Sequence, residues 1–152
     1  MRISAKADYA VRALVEIARR GDGDPTTTED VGRKQDIPKA FLSVILADLR
    51  RAGIVASQRG QAGGWRLARK PGEVTMADIF RAVDGPLASV ADRRPEAVEY
   101  EESMAPLKTV WIALRSSLRD VLEAITLADL ANGELPEKVL ARTRDPEAWN
   151  PH

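Results

Sequence analysis

The chain has 152 residues, 44% of them hydrophobic and 30% charged, enough for one domain with an appendage. It has no cysteine, and its single histidine is the terminal His152, which excludes disulfides, thiolate nucleophiles and cysteine-ligated metal and leaves an enzyme without its usual base. Its net charge of zero hides a polarity: residues 1–70 carry 14 Lys and Arg against 8 Asp and Glu, residues 71–152 carry 9 against 15, so one half suits a polyanion.

Ser4 is a plausible N-cap for a helix running to Arg20, with Ala7, Ala10, Val11, Leu14, Ile17 and Ala18 at helical spacing. Arg12, Glu16 and Arg19 interrupt its apolar run, so it reads as neither leader nor membrane span, and the default location is cytoplasmic. Gly21-Asp22-Gly23-Asp24-Pro25 breaks the helix. Thr27 with Asp30 three residues on resembles a capping box opening a short helix, Thr28 to Gln35.

After the turn at Asp36-Ile37, a third helix runs from Pro38 to Arg51 and stops at Gly53. Leu42, Ile45, Leu46 and Leu49 share its buried face, and the opposite face carries the short side chains of Ala40, Ser43, Val44 and Ala47, with Arg51. A helix entering a groove roughly 12 Å wide gains from short side chains there. Ser43 suits a base edge, Ala40 or Val44 a thymine methyl, and Lys39, Arg50 and Arg51 the flanking phosphates. The plain alternative is a helix face that meets only solvent.

Two short strands follow, Ile54 to Gln58 and Trp65 to Ala68, joined by Arg59-Gly60-Gln61-Ala62-Gly63-Gly64. The glycines permit positive φ and leave a bare ribbon flanked by Arg59 and Arg66, suited to a narrow minor groove. A phosphate-cradling loop would have to open a helix, and this one returns as a strand. Helix, helix, helix, hairpin is the order of a winged helix-turn-helix, here over residues 1–87.

Thr75 opens a further helix, Met76 to Val83, with Ile79, Phe80 and Val83 turned inward, and Asp84-Gly85-Pro86 ends it. Residues 88–104 lack a period and read as a long loop whose Glu96, Glu99, Glu101 and Glu102 are a solvated acidic stretch rather than a metal site. From Pro106, Leu107, Trp111, Leu114, Leu118, Val121 and Ile125 keep a heptad seam, with Val110 and Leu122 widening it. Such a seam pairs with a second copy or folds back on its own domain; pairing suits a palindromic double-stranded site. Thr126 to Gly133 holds a short last helix, grouped with the seam as residues 105–133, and residues 134–152 read as a polar tail in which Trp149 has no assigned contact. Tyr100 and Trp111, at the hinge between the two parts, are either an effector site for a metabolite or partner protein, or packing at the seam.

Tyr9-Ala10-Val11-Arg12-Ala13-Leu14, Leu49-Arg50-Arg51-Ala52-Gly53, Arg59-Gly60, Gly63-Gly64-Trp65-Arg66-Leu67, Asp78-Ile79, Ala82 to Leu87 and Ile125 to Leu130 resemble, in order, the Rrf-two family of bacterial transcription regulators. The resemblance implies a mainly α fold with a small β-hairpin wing, a homodimer with crossed long helices, a recognition helix in the major groove and a wing in the minor groove. It implies base reading at Pro38, Ala40 and Ser43, with Arg59, Gly60 and Gln61 in the wing. Family members often have other residues at Pro38, Ala40 and Ser43, and a Pro-Gly in place of Gln61-Ala62, which implies a different operator. Cluster-binding members keep three cysteines between Leu87 and Leu107; this chain has none, so no cofactor is expected. The expected function is a homodimeric, sequence-specific regulator, in the first place a repressor, with sulfur metabolism a possible field. The alternative is a winged-helix module that binds protein and does not read DNA.

Overall fold

The computed structural model describes residues 2–21 and 25–151; the glycine-aspartate break at residues 22–24 and His152 lie outside the described residues. Four helix starts follow directly from local chemistry. Helix α1 (Ala5–Arg19) is capped by the Ser4 hydroxyl, which accepts from the Ala7 amide at 2.9 Å. Thr27 caps α2 (Thr28–Gln35) by accepting from the Asp30 amide. Full reciprocal capping boxes start α4 (Met76–Asp84, Thr75 with Asp78) and α6 (Leu127–Asn132, Thr126 with Asp129).

Helix α1 is the hub. Its face of Ala7, Ala10, Ala13, Leu14 and Ile17 is buried against α2, α3, α4 and α6. The small alanines let the surrounding helices approach closely. Helix α3 (Lys39–Arg51) adds Leu42, Ile45, Leu46 and Leu49 to the same core, as its periodicity predicts. Pro38 is the residue before this helix, not part of its first turn, with an extended ψ of 133°. Strands β1 (Val55–Gln58) and β2 (Gly64–Leu67) pair antiparallel, Val55 opposite Leu67 and Gln58 opposite Gly64.

The remainder departs from the sequence reading in three places. The stretch at residues 88–104 is not one open loop; it contains single 3₁₀ turns at Pro95–Ala97 and Glu102–Met104. Helix α5 (Pro106–Leu122) ends before Ile125, so that residue is not the last step of the helical seam. Ile125 is buried instead, and its carbonyl accepts from the Met76 amide at 2.9 Å while Leu127 donates to Val74 at 2.8 Å. These two bonds carry the chain back, so α6 packs on α1 in the first core and not with α5. Finally, the tail contains a helical turn, α7 (Glu137–Leu140), and two 3₁₀ turns; Lys138 and Arg142 both reach Asp120 on α5. Trp149 donates to the Thr143 carbonyl at 2.7 Å and stays 73% exposed, so its ring docks on nothing larger.

Candidate nucleic-acid interface

Helix α2, the turn at Asp36 and α3 form a helix-turn-helix. Asp36 takes a left-handed conformation (φ 53°) that redirects the chain, and Ile37 is buried at the corner. With the leucine face of α3 locked in the core, Pro38, Lys39, Ala40, Ser43, Val44, Arg50 and Arg51 are all exposed together, as expected, while Ala47 is half-buried. Phe41 joins them at 62% exposure and Val44 stands at 56%. Sequence reading missed Phe41 because an aromatic beside a leucine stripe looks like core; its place a quarter-turn off that stripe was the available signal.

The polar groups on this surface are not equally available. Lys39 is held by Glu29 of α2, whose carboxyl sits below the ordinary carboxylate range because that ammonium hydrogen-bonds to it. Arg51 pairs with Asp48 at 2.8 Å, and the Ser43 hydroxyl donates to the Lys39 carbonyl at 2.9 Å. Arg50, Arg59 and Arg66 have no carboxylate partner among the described residues. The reading helix thus offers an apolar centre of Ala40, Phe41 and Val44 with a free guanidinium at one end.

The wing is fixed to the body by its own strand. Trp65 and Thr26 exchange two backbone hydrogen bonds of 2.9 and 2.8 Å, and the indole N–H donates to the Thr28 hydroxyl at 3.0 Å. A side chain at Gly64 would press on the Thr26 carbonyl at 2.8 Å, which is why the strand begins there with glycine. Gly63 serves space, not positive φ: a Cβ there would collide with the Gln58 carbonyl and lie 2.7 Å from that of Gly60. Gly60 at the tip needs a positive φ, at 106°, as does Gly64 at 157°. Arg59, Gly60, Gln61 and Arg66 project from this ribbon into solvent.

Asp48 joins the reading helix to the rest. Its side chain, 13% exposed, accepts from Lys6 at 2.6 Å, and this bond with that from Arg51 holds its carboxyl below the ordinary range. The same Lys6 ammonium donates to the Val83 carbonyl at the end of α4, at 2.7 Å. Next to it, Ser4 donates to Asp84 at 2.6 Å, immediately before the Gly85 turn.

Beyond Gly85 the chain forms an arm. Helix α5 has no buried residue, though seven apolar side chains of the seam and its borders lie on it. Leu107, Trp111, Leu118, Val121 and Leu122 are half-buried, whereas Val110 and Leu114 remain 52% and 41% exposed. Ile3, Phe80, Leu118 and Leu122 line a mainly apolar notch of about 220 Å³ beside them. Trp111 donates its indole N–H to the Tyr100 hydroxyl at 2.9 Å, clasping the preceding loop to the arm.

A helix-turn-helix with a basic, glycine-tipped wing defines a winged-helix DNA-binding regulator. The comparisons agree. The model of the Rrf2 family, described as iron-dependent transcriptional regulator, matches residues 3–133. The HTH-type regulator Rv1287 of Mycobacterium tuberculosis is 49% identical over 139 residues, 91% of this chain and 86% of that protein. Among solved structures, CymR, the global cysteine regulator of B. subtilis, superposes with a TM-score of 0.74 at 31% identity, covering 88% of this chain and 98% of that one. T. potens IscR gives 0.70 at 30% identity, with 88% of each chain covered. The chain therefore belongs to the Rrf2 family of transcriptional regulators, and the family and its structural neighbours are regulators, not enzymes.

The family description names iron, but the residues here do not fit a thiolate-held cluster. The chain has no cysteine, and among the described residues no three His, Cys, Asp or Glu side chains gather to hold a metal. No described helix is long and apolar enough to cross a membrane.

Proposed function

We propose that the protein is a cytoplasmic homodimeric repressor that binds a palindromic operator through two copies of the α3 and wing surface. The observation that carries this reading is the pairing of two unfilled surfaces on one chain: a reading helix with exposed Phe41 and Val44, and an arm with exposed Val110 and Leu114. Helix α3 lies in the major groove, with Ala40, Phe41 and Val44 against bases and Arg50 on the phosphates. Arg59 and Arg66, carried on the bare ribbon, enter or border the minor groove, while Gly60 and Gln61 let the backbone approach. The arms of two copies pair along Leu107, Trp111, Leu114, Leu118 and Val121, a two-fold arrangement that sets half-sites about one helical turn apart.

Because the reading surface is apolar at its centre, the half-sites contain thymine where the helix passes, read by methyl contact more than by hydrogen bonds. A dimer covering two turns of a promoter excludes polymerase, which makes repression the direct outcome of binding. The named role of the similar CymR as a cysteine regulator makes sulfur metabolism the first field to search for targets. Trp111 spends its one polar atom on Tyr100, which favours a structural clasp there over an effector contact. A metabolite or partner protein acting on the dimer then works elsewhere at the hinge.

The test is to map the protein on its genome and measure affinity for a recovered site against salt. Six to ten phosphate contacts cost about 10³ to 10⁵ in affinity between 50 and 200 mM salt. Absence of discrete sites, or a nearly flat salt dependence, refutes DNA reading and leaves a protein-binding winged helix.

A further inference from the structure

The acidic half of the chain contains a positive cleft. Residues 71–152 carry 9 Lys and Arg against 15 Asp and Glu, yet four of the nine line one cavity of about 500 Å³. Arg81 comes from α4, Arg94 from the loop after Gly85, and Arg115 and Arg119 from α5; Glu96 is the only acidic lining residue. Such convergence of like charge costs Coulomb energy unless anions compensate it.

The compensation in the chain itself is partial. Glu123 bridges Arg81 at 2.5 Å and Arg119 at 3.0 Å, and Glu96 takes Arg115. Both carboxyls are held below the ordinary range, Glu123 by hydrogen bonds from Arg81 and Arg119, Glu96 by a backbone hydrogen bond and by Arg115. Asp78, 3.7 Å from Arg81, is shared with Arg69 at the same distance. Arg94 has no carboxylate partner among the described residues. The cleft's four guanidinium groups thus face three carboxylates, and one of these, Asp78, is shared with Arg69 outside the cleft.

We infer that this cleft binds a small organic anion with at least two acidic groups. Guanidinium planes engage carboxylate or phosphate oxygens in pairs, and the ligand's acids take over the partners that Glu96 and Glu123 now hold. Pro86, Leu87 and Ala88 supply an apolar wall for a short carbon skeleton. The cations come from the last helix of the reading head, the hinge loop and the arm, so an occupied cleft fixes the arm's angle to the head. The binding site stands on the cleft alone; its effect on operator affinity rests on the dimeric repressor proposed above.

Calorimetry on the full chain, without DNA, separates the two. Citrate and pyrophosphate are titrated in a chloride buffer, with acetate as the singly charged control. Saturable binding of citrate alone assigns carboxylates, of pyrophosphate alone phosphate groups, and of both assigns charge as the criterion; each outcome supports the site. Arg94→Gln weakens binding about tenfold or more, the loss expected for one charge-assisted pair. Glu96→Gln strengthens it, because a competing carboxylate is gone, an opposite sign that general destabilisation would not produce. Polyanion binding no better than acetate, or unchanged in Arg94→Gln, overturns the inference.

Discussion

Leu114 isolates the arm from everything else in the molecule. It lies outside the core, is 41% exposed, and makes no polar bond, so its replacement leaves the reading head intact. Full burial of a leucine side chain stabilises by about 1.5–3 kcal/mol, so covering the part still exposed contributes about 1 kcal/mol per copy. In the proposed dimer both copies lose this contribution, so Leu114→Ala costs about 2 kcal/mol, a roughly 30-fold weaker dimer. Leu114→Glu adds two facing carboxylates in a desolvated seam, a further penalty of several kcal/mol that takes the loss beyond about 10³-fold. Sedimentation velocity over a micromolar concentration series reads both variants, with a thermal melt to verify that the head still unfolds as in the wild type. If Leu114→Glu sediments as a dimer like the parent, or the parent itself is a monomer throughout, the pairing of arms through this face is refuted.

On the reading surface, Arg59→Ala is expected to weaken operator binding about tenfold or more with the dimer unchanged, whereas Lys39→Ala, whose cation Glu29 already engages, loses less; equal losses in a fluorescence titration would show that the free and paired cations are not distinguished. Replacing thymine by uracil across a mapped half-site removes only methyl groups, and binding is expected to fall by about 1 kcal/mol or more in total; no change would rule out the apolar contact of Ala40, Phe41 and Val44. Gly63→Ala forces the wing turn open against the Gln58 and Gly60 carbonyls, so operator affinity should drop to that of a wing variant while the helical circular dichroism persists. Asp48 has its carboxyl depressed by Lys6, so its contribution is complete above the unfolded value near 3.8 and is lost as pH falls through the lower folded value. Asp48→Asn is accordingly less stable than the parent by about 1 kcal/mol at pH 7, with the gap closing below about pH 4 in urea titrations; a gap that persists at acid pH would assign the loss to packing.

What the sequence disclosed was local. Caps at Ser4, Thr27, Thr75 and Thr126 announce their helices because the bond each makes spans three residues, and the leucine stripe of α3 shows its buried face by period alone. Ile125 escaped because its four-residue spacing from Val121 continues the heptad, whereas the helix ends where Ile125 and Leu127 are drawn into a distant core. A period cannot register where tertiary packing stops a helix. The charges on α3 were read as phosphate contacts in one class; only the fold shows that Glu29, ten residues away on the neighbouring helix, occupies Lys39 while Arg50 stays free. The arginine cleft was equally hidden, since its members are scattered over three elements and in sequence look like an acidic region's ordinary counter-charges.

The placement of Lys6 bears on how arm and reading helix can influence one another. Its ammonium donates both to the Val83 carbonyl, where α4 ends, and to Asp48 on the recognition helix. Ser4, two residues earlier and also the cap of α1, holds Asp84 at the next position. A rotation of the arm about Gly85 therefore pulls on backbone whose hydrogen bonds start at the first turn of α1, and α1 is the helix against which α3 is packed. Moving the end of α4 by about an ångström stretches the 2.7 Å Lys6–Val83 bond past useful length, or, where the ammonium follows, strains its 2.6 Å bond to Asp48 instead. Since Asp48 also pairs with Arg51 on the exposed face, such movement reaches the exposed edge of the helix without any change in its core. Contact of this kind is a mechanical route, and the arginine cleft, lined by Arg81 of α4 and by Arg115 and Arg119 of α5, stands at its arm end.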